Sequence, residues 1–156
     1  MSGQDASIIG TKPSNYAGDV TVEEAFRLLG ASSNSLLIDV RTMAEWSFVG
    51  RPNLDAINKP VAFIEWQSFP AMDRNENFVA DVRSVLSKEG LDEGEISLFM
   101  ICRSGARSRA AAIAVTEAGL GTAYNVAGGF EGDLDPDNHR GNVNGWKASG
   151  LIWSQT

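Results

Sequence analysis

An α/β fold, with a central, mostly parallel sheet carrying helices on both faces, is predicted by three observations. Short continuous apolar runs at 35–40, 96–101 and 123–126 suit strands buried on both sides. Stretches with apolar residues at helical spacing, at 22–29, 75–88 and 110–118, alternate with those runs. Gly30, Gly90 and Gly119 then stand where helices stop. A length of 156 residues suits one domain with a sizeable core, expected over 18–156 behind a flexible arm at 1–17.

Each element has its own local reason. Met1 to Ala17 is polar and reads as a loosely tied arm. Thr21-Val22-Glu23-Glu24 has capping-box spacing, with Thr21 as N-cap and Glu24 reaching back. Val22, Ala25, Phe26, Leu28 and Leu29 continue it as an apolar stripe. The strand at 35–40 runs into Asp39-Val40-Arg41, a charged pair at a strand's carboxyl end. Phe63, Ile64, Trp66, Phe69 and Pro70 show no period, and the stretch to Met72 is expected to seal the core rather than wall a site. Phe78, Val79, Val82, Val85 and Leu86 share one face of the predicted helix at 75–88. Asp92, Glu93 and Glu95 form a solvated turn before the next strand.

That strand, Ile96 to Ile101, runs into Cys102-Arg103-Ser104-Gly105-Ala106-Arg107-Ser108-Arg109 and then an Ala-rich helix. Cys102 is the one cysteine of the chain, and it stands at the carboxyl end of a strand, where open α/β sheets bind ligands. The amides of a helix start lack intrahelical partners and favour an anion, thiolate included. Arg103, Arg107 and Arg109 add positive charge, and Gly105 lets successive amides converge. A lone cysteine after a strand is commonly a small buried hydrophobe. That reading accounts for Cys102 but not for the basic, polar run that follows it. The expectation is a thiolate nucleophile in a cationic cup.

Composition narrows the function classes. Thirteen basic against 20 acidic residues give a net charge of -7, which argues against nucleic acid held on a broad basic face. One cysteine excludes a disulfide framework and any C-x-x-C metal or redox motif, so neither metal nor cofactor is expected. No apolar stretch approaches membrane-spanning length, and no membrane partner is expected. A reducing cytoplasmic setting is the default for such a thiol. The polar segment 133–147 is long for a plain loop and holds His139, the one histidine. His139 is read as a surface residue rather than a base for Cys102. The segment itself is read as a lid over the active loop, with Trp146 anchoring the tail.

Cys102-Arg103-Ser104-Gly105-Ala106-Arg107-Ser108 resembles the C-x-x-G-x-R-[ST] active loop of the rhodanese-like sulfurtransferases. Leu37-Ile38-Asp39-Val40-Arg41 with Glu45-Trp46 is similar to that family's D-V-R-x-x-x-E-aromatic block, and Val126-Ala127-Gly128-Gly129-Phe130 to its later strand and glycine turn. The family's G-H-I-P-G-A-x-N block reads Gly50-Arg51-Pro52-Asn53-Leu54-Asp55-Ala56-Ile57-Asn58 here, with Arg51 and Asp55 departing from it.

The resemblance implies a rhodanese-like fold and Cys102 as the catalytic nucleophile that carries a persulfide. It implies substrate binding by Arg103, Ser104, Gly105, Ala106, Arg107 and Ser108. Support would come from Asp39, Arg41, Glu45 and Arg109, with Asp39 holding a loop arginine and Glu45 orienting Arg41. The expected partners are a small anionic sulfur donor such as thiosulfate and a thiol, cyanide or protein acceptor; monomer and homodimer stay open. A persulfide carrier or binding module of the same fold is the alternative. A cysteine phosphatase or arsenate reductase ranks lower, because its C-x-x-x-x-x-R loop would need arginine where Ser108 stands.

Overall fold

The computed structural model describes residues 6–156. In chain order the elements are β1 (Gly18–Val20), α1 (Val22–Ala31), β2 (Ser35–Asp39), α2 (Met43–Phe48) and β3 (Arg51–Pro52). A 3-10 turn at Asp55–Ile57 leads to β4 (Val61–Phe63), β5 (Gln67–Ser68), β6 (Asp73–Arg74) and α3 (Phe78–Lys88). Then come β7 (Ile96–Ile101), α4 (Ala106–Glu117), β8 (Gly121–Val126), α5 (Gly145–Ala148) and β9 (Trp153–Ser154).

The central sheet has the order β1-β8-β7-β2-β4, and every pairing in it is parallel. Side chains leave a strand on alternate faces, and here both faces are covered. Leu36, Ile38, Leu98 and Met100 pack with α3 and α4 on one side. Leu37, Phe99 and Ile101 pack with α1 and Trp146 of α5 on the other. The apolar runs are continuous in sequence because each face has its own core. This is the predicted α/β architecture. The same alternation sends Cys102, two residues after Met100, toward the α3–α4 side.

Strand order also makes the crevice. From β2 the chain moves outward to β4; from β7, its neighbour, it moves the other way to β8. The loops leaving β2 and β7 therefore diverge at the carboxyl edge, the kind of switch point at which such sheets bind ligands.

Several expected boundaries move. α1 runs through Gly30 to Ala31 and ends where Ser32 becomes extended. Thr21 Oγ1 accepts from the Glu24 amide, but the Glu24 carboxylate turns to Arg27 and to the Ser7 amide, so half of the capping box forms. α3 begins at Phe78, because Asn75 spends its side chain on the Asn77 amide, the Glu65 carbonyl and Asp81. α4 begins at Ala106, directly after the loop glycine. Of the expected flexible arm, residues 1–5 lie outside the described residues. From Ser7 onward the chain is fastened: Ile9 bonds to Asp19, Ala17 bonds to Ala123, and Tyr16 is buried. Among the described residues, no helix is long and apolar enough to cross a membrane.

Candidate active site

The loop after β7 is shaped from outside. The carbonyl of Cys102 accepts from the Phe130 amide, and that of Arg103 accepts from the Glu131 and Gly132 amides. These bonds turn the loop carbonyls toward the segment after β8, while the Gly105 amide faces inward. Gly105 completes the curl at φ +122°, where a Cβ would stand 2.7 Å from the Ala127 carbonyl oxygen. Gly129 is needed for the same packing, because a Cβ there would run into the Arg103 carbonyl.

The curl places the Gly105 amide 3.1 Å from Cys102 Sγ, and Ser108 Oγ also lies 3.1 Å from that sulfur. Cys102 is 1% exposed. The sulfur therefore lies beneath the loop, not at its rim. A cavity of about 670 Å³ is lined by Arg103, Ala106 and Arg107, and Cys102 is not in its wall. Its remaining wall includes Phe69, Pro70, Met72, Glu131 and Arg140. Among the described residues the Arg103 guanidinium has no hydrogen-bond or carboxylate partner, so its charge is available to the cavity.

The acidic and basic residues expected in support are present but exchange partners. Asp39 holds Arg41, its neighbour two residues on, at 2.7–3.2 Å, rather than a loop arginine. Arg41 folds back over its own strand end, reaches the Gly50 carbonyl and stacks 4.2 Å above the Phe130 ring. Both side chains of that pair are fully buried. The pair thus props Phe130, whose amide holds the Cys102 carbonyl.

Glu45 grips Arg107, not Arg41, through two bonds of 2.7 and 2.9 Å. Thr42 and Glu45 form a complete capping box at the start of α2, and this aims the carboxylate at α4. Burial pushes the Glu45 carboxyl upward. Bonding to Arg107, the arginine's charge and Thr42 outweigh it and hold the carboxyl down at about 2. Arg107 is pushed up despite its burial, by Glu45 first and then by its proximity to Cys102 and Asp39.

The other expected site residues scatter. Arg109 is exposed on α4 beside Tyr16, its amide bonds to the Gly105 carbonyl of the loop, and it does not line the cavity. Ser104 is half-buried and also lies off the cavity wall. Ala106 lines the cavity, while Ser108 is fully buried and faces the sulfur. The stretch 63–72 divides: Ile64 and Trp66 enter the core as expected, but Phe69, Pro70 and Met72 wall the cavity. His139 is exposed in the turn built on Asp135 and lies off the cavity wall. Its neighbour Arg140 is what the segment 133–147 supplies there, and fully buried Trp146 pins the tail through the Ile152 carbonyl.

Sequence reasoning missed a row of polar side chains behind the sulfur. Ser108 Oγ donates to Asn125 Oδ1 at 2.6 Å, Asn125 Nδ2 donates to Asp19 Oδ1 at 3.0 Å, and Tyr16 donates to the same oxygen at 2.8 Å. Asn125, flanked by Ala123, Tyr124 and Val126 near the end of β8, was the available signal, since a buried amide needs partners. The Thr42–Glu45 capping box was equally legible as T-x-x-E.

Known proteins resemble this chain in sequence and in fold. A sequence model described as Rhodanese-like domain matches residues 21–134. Uncharacterized protein RC0915 of Rickettsia conorii is 36% identical over 130 residues, 83% of this chain and 91% of that protein. An uncharacterized protein of Rickettsia prowazekii is 33% identical over the same length and shares. The crystal structure of Rv0390 from M. tuberculosis superposes with a TM-score of 0.79 at 42% identity, covering 90% of this chain and 99% of that one. The solution structure of the polysulfide-sulfur transferase homodimer from Wolinella succinogenes shares the fold, with a TM-score of 0.54 at 24% identity over 88% of this chain and 78% of that one. With the motif loop closed around its cysteine at the carboxyl edge of a parallel sheet, this chain belongs to the rhodanese-like domain family.

Proposed function

We propose that the protein is a sulfurtransferase that moves a sulfane sulfur from a small anionic donor, such as thiosulfate, to a thiol, cyanide or protein acceptor. The observation that carries this reading is a lone cysteine with an inward loop amide on its sulfur, beside a cavity lined by Arg103, which has no carboxylate partner among the described residues. Arg103, at the cavity beside the loop that covers the sulfur, draws the donor in. Cys102 Sγ, as thiolate, attacks the outer sulfur of thiosulfate. A bond forms between the two sulfurs, the bond between outer and central sulfur breaks, and its electron pair leaves with sulfite.

The Gly105 amide, 3.1 Å from Sγ, steadies negative charge on the sulfur during both half-reactions. An acceptor nucleophile then takes the terminal sulfur and returns Cys102 to thiolate. The cycle needs no second thiol and no cofactor. The loop disfavours phosphate-ester chemistry: Ser108 occupies the arginine position of a phosphatase loop, and Arg107 is held by Glu45.

Intact-mass spectrometry after incubation with thiosulfate tests the reading. The expected result is a gain of one sulfur atom, reversed by cyanide and absent in Cys102→Ser. A wild-type chain that gains no sulfur from thiosulfate would refute it.

A further inference from the structure

The row of polar groups behind Cys102 has too few protons for all of its contacts. Ser108 carries one hydroxyl proton and has three acceptors in reach: Asn125 Oδ1 at 2.6 Å, Cys102 Sγ at 3.1 Å and the Gly105 carbonyl at 3.2 Å. The Asn125 amide has no freedom to turn over, because a carboxylate faces its other end. Only the nitrogen can approach Asp19 Oδ1 at 3.0 Å, so the oxygen must face Ser108. Two oxygens 2.6 Å apart with no proton between them would repel. Asn125 therefore claims the Ser108 proton, and Ser108 Oγ is left as an acceptor toward the sulfur.

From this we infer that Asp19 and Asn125 form a latch that keeps the resting sulfur a thiol. Cys102 donates to Ser108, Ser108 to Asn125, and Asn125 to Asp19, which Tyr16 also steadies. To become a thiolate, Cys102 releases its proton to solvent, and Ser108 rotates its own from Asn125 to the sulfur. Asn125 and Asp19 are thus positioning residues that act through Ser108. All five groups are drawn from separate places in the chain: the segment before β1, β1 itself, β8, α4 and the loop after β7. Ser108, Asn125 and Cys102 are each 1% exposed or less, so no bulk water competes for the bonds.

Other charges stand around the loop and the polar row, and the test leaves them in place. They are Arg107 on α4, which interacts with Cys102 and is held by Glu45 of α2, Arg109 beside Tyr16, Arg103 in the loop, and the Asp39–Arg41 pair at the end of β2. The inference deepens the transfer reading, since it concerns the nucleophile that reading uses. Its test nevertheless needs no sulfur donor, so either can fail without the other.

Asp19→Asn is close to isosteric and allows the Asn125 amide to turn over and donate to Ser108, which frees the hydroxyl proton for the sulfur. Thiolate absorbance in the ultraviolet, with the matching Cys102→Ser variant as blank, reads the titration directly in a chain with one cysteine. The midpoint is expected to move to lower pH by about half to one unit, the size of one hydrogen bond gained by the anion. Loss of the Asp19 charge alone would also lower it, so the deciding measurement is the same substitution in a Ser108→Ala background. There the latch is absent, so only the part of the shift that comes from the lost charge remains, and the shift is expected to be clearly smaller. Asn125→Ala provides an independent version, with the same downward shift and the same dependence on Ser108. An Asp19→Asn shift of undiminished size without Ser108, an Asn125→Ala shift that persists without it, or no shift in either variant, would overturn the latch. Sulfur gain from thiosulfate, measured separately, reports on the transfer reading alone.

Discussion

Replacing Glu45 with Gln removes the charge from the pair that ties α2 to α4 while keeping the side chain's size. The carboxylate lies 2.7 and 2.9 Å from the two terminal nitrogens of Arg107, with side chains 19% and 16% exposed. In the folded protein the carboxyl is held at about 2, against an ordinary value of 4.5. Taken alone, that difference integrates to about 3 kcal/mol. Both groups still touch solvent, and a glutamine keeps one acceptor for Arg107, so the expected loss is about 1–2 kcal/mol.

The sign follows from the direction of the shift. A carboxyl whose folded value lies below its unfolded value contributes fully above the unfolded value, and loses that contribution as pH falls through the folded one. The wild-type advantage should therefore be complete above about pH 4.5 and fade toward pH 2. Urea unfolding of both proteins at about pH 7 and about pH 3 should show the advantage falling to less than half. An equal advantage at both values would refute this account of the pair. So would no advantage near neutrality.

Three further outcomes follow from the site. Gly105→Ala forces a Cβ to within 2.7 Å of the Ala127 carbonyl at φ +122°, and should cost about 1–3 kcal/mol and lower Tm; an unchanged Tm would count against the loop geometry. Arg103→Ala should leave Tm unchanged but raise KM for thiosulfate about tenfold at low salt, with the difference shrinking as salt rises; identical KM values would remove Arg103 from donor capture. Trp146→Phe keeps the buried ring and loses the bond to the Ile152 carbonyl, so urea unfolding should show a loss of about 1–2 kcal/mol, and no loss would mean the tail is not pinned there.

Much of the molecule could be read from local pattern. The runs at 35–40 and 96–101 identify strands buried on both faces, because only a sheet with helices above and below has no use for polar alternation. The loop could be read for a similar reason: a cysteine, a glycine and several arginines packed between strand and helix have no core-building purpose. Element ends were less accessible. α1 passes through Gly30 because tertiary packing outweighs a single weak helix former. α4 starts at Ala106 because Gly105 is pinned against Ala127, a contact between residues far apart in sequence.

The sequence by itself determined the layer architecture, the place of Cys102 at a strand's carboxyl end and the residue types around it, since each depends on neighbours within a few positions. Tertiary structure alone decided who pairs with whom. Arg107 feels the charge of both Glu45 and Asp39, yet Asp39 bonds to Arg41 and Glu45 to Arg107, and that choice rests on where β2 ends, how α2 is capped and what ring lies beneath. Tertiary structure also decided that the sulfur is buried, with Ser108, Asn125 and Asp19 behind it. A charge or a hydroxyl can be read from its codon, but its partner is set by folding, which brings separate strands close enough for one proton to be claimed by one of several acceptors.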